Sequence, residues 1–186
     1  MLAPKSTDDT RTRLLDAAEA IVAEHGVNAL TLDKVAAAAR VSKGGLLHHF
    51  NSKEALLRAI VTRMAQEMRT VFDALHAAEA PGPGRAVRAG ISWAFHKPAE
   101  REARDLRIAA ALLAAHAHDP ALIDPIRAEH ARIRRMMADD GLPEARAMLL
   151  MAATDGLFLA KVFSLWEPST ALAASMEATM RVLAEP

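Results

Sequence analysis

The residues with the most chemical potential lie in "VSKGGLLHHF", Val41 to Phe50, where two glycines, two leucines, two histidines and a phenylalanine follow Ser42 and Lys43. A histidine pair suggests a metal ligand set, a glycine pair a phosphate cradle, and a basic capped segment a helix that meets nucleic acid. The metal reading fails on geometry. Adjacent helical residues point about 100° apart, so His48 and His49 cannot chelate one ion well. The nucleic-acid reading draws on every residue. Ser42 can cap a short helix. Gly44 and Gly45 allow close backbone approach at its first turn, where free N–H groups and Lys43 attract anions. His48 can bond a base edge, Leu46 and Phe50 can anchor the inner face, and Lys53 opens the next helix. From Arg40 to Lys53 there are three Lys/Arg and no acid.

These residues need elements to hold them, and the composition favours helices. The chain has 186 residues, 52% of them hydrophobic and 4% aromatic, a balance that suits helix over strand. It has no cysteine, which excludes disulfides and thiolate metal sites and fits a reducing cytoplasm. The opening "MLAPKSTDDT" lacks the basic and apolar regions of a signal peptide, and no apolar run reaches the length of a membrane span. With 23 basic and 23 acidic residues the net charge is zero, so any basic surface is local.

Caps and breakers divide the chain. Ser6, Thr7 or Asp8 caps a first helix whose stripe holds Leu14, Ala18, Ile21, Val22 and His25; Gly26 ends it. Thr31 caps "LDKVAAAA", with Asp33 in its first turn, and "RVS" leads to "KGGLLHHF". Asn51 and Ser52 cap a long helix with Leu56, Ile60, Met64, Met68, Val71, Phe72 and Leu75 at helical spacing. "EAPGPGR" (79–85) is the clearest break, and helices are expected near 84–96, 99–117, 120–138, 143–165 and 169–184. No strand alternation and no internal repeat occur. The expected fold is all-α, with about nine helices.

Two short helices joined by a tight turn, the second capped by serine, make a helix-turn-helix plan. At this point "TLDKVAAAARVSKGGLLHHFNSKEALL" resembles the DNA-binding region of the TetR family of bacterial transcriptional repressors, over roughly residues 10–60. The family pattern runs T-x-x-x-[IV]-A-x-x-A-G-V-S-x-G-x-[LF]-Y-x-[HY]-F-x-[SN]-K-x-x-L. The resemblance implies that Thr31 and Lys34 meet phosphate, that Ser42, Lys43, Gly44, Gly45 and His48 face DNA, and that His49 and Lys53 complete the contact. His49 as a packed, backbone-bonded histidine is the alternative. Two positions depart from the pattern. Arg40 stands where glycine is usual, at an expected left-handed cost of about 1 kcal/mol but with a charge that can reach phosphate. Leu47 stands where a phosphate-contacting tyrosine is usual.

The resemblance further implies a helix-turn-helix domain over 1–54 and a ligand-binding and dimerisation domain over 55–186. As a homodimer the protein would read a pseudo-palindromic operator in double-stranded DNA, with recognition helices about 34–36 Å apart. A small-molecule effector would release it, with the long helix after Ser52 as the lever. For the dimer, one expected face combines Ala147, Leu150, Met151, Thr154, Leu157, Phe158, Lys161, Val162 and Leu165. A second face combines Leu172, Met176, Thr179, Met180 and Leu183. Monomer-core packing of both faces is the alternative. Candidate effector contacts are Trp93, Phe95, His96, Met136, Asp155 and Phe158, which suit an apolar or amphipathic molecule.

Two other function classes compete. An enzyme finds little support: "HAHDP" sets His116 and His118 about 200° apart on a helix, and neither a zinc-protease motif, a nucleotide fingerprint nor a nucleophile elbow occurs. No cofactor is expected. A helical small-molecule-binding or scaffold protein without specific DNA binding differs from a regulator in one observable, salt-sensitive sequence-specific binding.

Overall fold

The computed structural model describes residues 7–116 and 119–186. The predicted cap Ser6 and the predicted His118 lie outside them. Among the described residues there are nine α-helices and no strand. They are α1 (Thr7–His25), α2 (Leu32–Ala39), α3 (Lys43–His49), α4 (Lys53–Ala78), α5 (Arg85–Phe95), α6 (Ala99–His116), α7 (Asp124–Ala138), α8 (Glu144–Val162) and α9 (Thr170–Leu183). No helix among these residues is long and apolar enough to cross a membrane.

Four helix starts follow from side-chain capping. The Thr31 hydroxyl accepts from Lys34 N–H (3.3 Å), Ser42 from Gly45 (3.1 Å), Ser52 from Ala55 (3.1 Å) and Ser169 from Leu172 (3.3 Å). Two boundaries differ from the sequence expectation. The segment 120–138 opens as a 3₁₀ turn over Pro120–Ile123, because the Asp119 carboxylate caps Ala121 N–H (3.1 Å); α7 starts only at Asp124. Helix α8 stops at Val162 rather than near 165. Ser164 adopts φ 52°, and Leu165 N–H turns back to the Ala160 carbonyl (2.9 Å).

The chain forms two compact units. The first comprises the described residues up to Met64 together with Arg104–Pro125; the second comprises Ala65–Ala103 and Ile126–Pro186. The division falls inside α4, inside α6 and within the first turn of α7, so each of these helices contributes to both.

In the first unit Leu14, Leu15, Ala18 and Val22 of α1 are buried, with Leu30, Val35, Ala36, Ala39, Leu46, Phe50, Leu56 and Ile60. The α1 stripe is broader than its spacing suggests, since Glu19 is also buried (2% exposed). Its carboxylate is held by Arg63 of α4 (Nε to Oε1, 2.6 Å) and Arg104 of α6, and Arg63 also reaches Asp16 (2.7 Å). A buried carboxylate needs such pairing, since desolvation alone costs several kcal/mol.

In the second unit α5 is buried from Ala86 through Ser92 and packs against α8 and α9. Its start depends on Gly84, at φ 79°, where a β-carbon would lie 2.2 Å from the Ala184 carbonyl oxygen. The buried Arg88, Ser92 and Glu129 are each paired. Arg88 donates to the carbonyls of Pro83 (2.8 Å) and Ala80 (2.7 Å). Ser92 bonds Glu79 (2.7 Å) and receives Arg181 (2.8 Å). Glu129, 2% exposed, takes Arg69 (2.8 Å) and Arg132 (2.6 Å).

Candidate nucleic-acid interface

Helices α2 and α3 meet through a turn whose geometry decides which side chains face out. Arg40 closes α2 in the left-handed region (φ 55°, ψ 47°). Its N–H bonds the Ala37 carbonyl (3.1 Å), and Val41 N–H bonds that of Ala36 (2.9 Å), a closure in which glycine is the usual residue. The Arg13 guanidinium of α1 donates to the carbonyls of Ala39 and Arg40. A cation there satisfies orphan acceptors and complements the negative helix end. Nothing in the local pattern around Arg13 announces this.

Ser42, in extended conformation, then starts α3. The adjacent glycines serve different ends. At Gly45 an added β-carbon would lie 2.9 Å from Val41 Cγ1 and 3.2 Å from Ser42 Oγ, so its lack of a side chain lets the turn close. At Gly44 nothing lies within 4 Å, and its backbone is open to approach from outside. Leu46 is fully buried and Phe50 nearly so. Arg11 lies over the Phe50 ring at 5.4 Å.

The outward surface therefore carries Thr31, Lys34, Arg40, Ser42, Lys43, Gly44, Leu47 and His48, all exposed, with Gly45, His49 and Lys53 half-buried beside them. These eleven predicted residues fall on α2, α3, the turn between them and the start of α4. The His48 and His49 rings meet edge-on, with centroids 5.4 Å apart. Among the described residues no group of three or more His, Cys, Asp or Glu is arranged to hold a metal ion. The absence of acids between Arg40 and Lys53 does not carry into three dimensions. Asp33 of α2 pairs with Lys43 of α3 (2.9 Å), a contact that linear spacing does not reveal. Glu54, fully exposed, is held below the ordinary carboxyl range by its own backbone N–H, then by the Ser52 hydroxyl.

The predicted effector residues are less concentrated. Trp93, Phe95 and Met136 pack on the core of the second unit. Trp93 meets the buried Phe72 edge-on at 6.3 Å, with Lys97 Nζ 5.9 Å from its ring centre, and Met136 Sδ accepts from Arg132 (3.1 Å). His96 and Asp155 are tied elsewhere, His96 to Glu177 (3.1 Å) and Asp155 to His130 (3.0 Å). The Asp155 hydrogen bond raises the His130 pKa above its ordinary value. Phe158 is 43% exposed. Sequence reasoning missed His130 and Glu177, which reach Asp155 and His96 from other segments, and Arg132, which bonds Met136 within α7 and Asp73 of α4. A cleft of about 390 Å³ in the first unit is lined by none of the six candidates, but by Asp16, Ala20, Ala23, Glu24, Arg104 and Arg107.

The faces expected to meet a second copy divide: Ala147, Leu150, Met151 and Val162 of α8 and Met180 of α9 are buried in the chain's own core, whereas Phe158, Leu165, Leu172 and Leu183 are exposed. A further stripe is exposed beside them, formed by Leu149, Ala152, Ala153, Gly156, Leu159 and Phe163, alongside Ala171, Ala178 and Val182 of α9. Helical periodicity gives both stripes, and only the neighbouring helices decide between them.

The profile of the family described as bacterial regulatory proteins, tetR family, matches residues 14–60. That of the tetracyclin repressor-like C-terminal domain matches residues 84–185. The HTH-type transcriptional regulator UidR of Escherichia coli (strain K12) is 44% identical over 52 residues, 28% of this chain and only about a quarter (26%) of UidR. The HTH-type transcriptional regulator BetI of Burkholderia thailandensis is 28% identical over 159 residues, covering 80% of each chain. A transcriptional regulator from Rhodococcus sp. Rha1 superposes with a TM-score of 0.71 at 26% identity, covering 94% of this chain and 93% of the other. The multidrug binding protein EbrR, solved with malachite green, shares the fold at a TM-score of 0.69 and 23% identity, covering 93% and 96%.

Proposed function

The chain belongs to the tetR family of bacterial regulatory proteins, and on that premise we propose that it is a transcriptional regulator, a cytoplasmic repressor that binds an inverted-repeat operator as a homodimer and is released by a small apolar or amphipathic ligand. Residues 1–54 carry the DNA contact and 55–186 the ligand and the dimer. The observation that carries this reading is the outward surface of α2 and α3. Lys34, Arg40 and Lys43 reach phosphates, Gly44 admits the backbone closely, and His48 bonds a base edge. Leu47 supplies an apolar contact in place of a phosphate bond.

The exposed α8–α9 stripe supports dimerisation. Gly156 lies mid-helix, where glycine costs about 1 kcal/mol against alanine, and nothing of its own chain lies within 4 Å of an added β-carbon. Such a position gains its use when a second helix approaches. The ligand class rests on the apolar, partly buried side chains of Trp93, Phe95 and Met136.

Selection of random duplex DNA by the purified protein tests the proposal. Enrichment of one inverted repeat is the expected result; no enrichment by folded, dimeric protein would favour a helical small-molecule-binding protein. Within an enriched site, Lys43→Ala should lower affinity for all sequences alike, and His48→Ala should relax preference at one base pair.

A further inference from the structure

We infer that Asp33 offsets the charge that Lys43 presents to the DNA backbone, and so sets the strength and salt dependence of DNA binding; this rests on the DNA-binding reading of α3. Asp33 lies in the first turn of α2 and Lys43 is the first residue of α3, and the turn between them brings Oδ1 and Nζ to 2.9 Å. Both side chains are largely exposed (72% and 62%). An exposed pair of this kind adds little to folding. Its consequence lies in the charge of the lysine.

The segment Thr31–Glu54 holds two acids, Asp33 and Glu54. Glu54 is engaged at the start of α4 by its own N–H and by Ser52. Asp33 is thus the acid that reaches the lysine of α3. Lys43 keeps Asp33 as its partner on binding, so its charge is already neutralised where it meets phosphate, and one fewer counterion is released per protomer than from a chain without that carboxylate. The slope of log K against log salt is therefore shallower by about 0.9.

The test measures binding of a labelled random-sequence duplex by the full chain between about 50 and 200 mM salt. Asp33→Asn should bind more tightly with a slope steeper by about 0.9 per protomer, so that its advantage shrinks about 3.5-fold per protomer, or about 12-fold for a dimer, across that range. Asp33→Ser, which also suits a helix start, should do the same and guards against a folding defect in one variant. On a Lys43→Gln background, Asp33→Asn should leave the slope unchanged. An unchanged slope in both single variants, or an undiminished effect on the Lys43→Gln background, would overturn the inference. A folded wild-type chain that binds no duplex even at low salt would bring down the DNA-binding reading itself, and this inference with it.

Discussion

Arg40 offers a direct test of how the helix-turn-helix is closed. Its backbone lies at φ 55°, ψ 47°, a region that costs an L-residue roughly 1–2 kcal/mol. Glycine avoids that cost, but its freer unfolded chain returns about 0.5–1 kcal/mol. Arg40→Gly should therefore be more stable than Arg40→Ala by roughly 0.5–1 kcal/mol. The alanine variant is the proper reference, because both lose the guanidinium while only one keeps the strain. The two turn-closing hydrogen bonds, to Ala37 and Ala36, involve backbone alone and survive in both. Urea unfolding should give unequal midpoints with equal slopes. At 2–4 °C per kcal/mol for a chain of this length, melting temperatures should differ by about 1–4 °C. A glycine variant no more stable than the alanine one would refute the reasoning. DNA affinity should separate from stability: both variants should lose about the same salt dependence if Arg40 meets phosphate.

The two glycines of α3 should respond oppositely to alanine. Gly45→Ala drives a methyl against the stiff Val41 side chain and should destabilise by about 1–3 kcal/mol, whereas Gly44→Ala fills open space and should stabilise by about 0.5–1 kcal/mol; chemical denaturation of both checks the contrast. Arg63→Met leaves the buried Glu19 with Arg104 alone and should cost up to about 3 kcal/mol, read in the same assay. The His130–Asp155 pair predicts a pH dependence. Its folded histidine pKa is raised above the ordinary value of 6.5, so the stabilisation is full below that value and is lost as pH rises through the raised one. His130→Gln should remove this fall from a stability–pH profile measured around neutrality, and an unchanged profile would assign it to other groups.

Much of the local structure of α2 and α3 is legible in the sequence. Thr31, Ser42 and Ser52 start their helices as serine and threonine caps do, and Leu46 and Phe50 turn inward as their spacing demands. The left-handed closure at Arg40 followed from the family pattern, which reserves that position for glycine. These features depend on a few neighbouring residues, because backbone hydrogen bonds and caps act within one helical turn. By contrast, the end of α8 at Val162 rests on a serine in a glycine-like conformation, for which the sequence carries no cue.

What only the tertiary structure decided concerns partners from distant segments. Glu19 reads as a solvent-facing acid until Arg63 and Arg104 arrive from α4 and α6. Asp33 reads as a first-turn acid until the turn at Arg40 delivers Lys43 to it. Helix α8 has two apolar stripes, and α5 buries one of them, leaving Leu149, Gly156 and Phe163 exposed. In each case the local sequence sets the period and the charge, but burial and pairing depend on which helix faces meet, and that is fixed by packing across the whole unit.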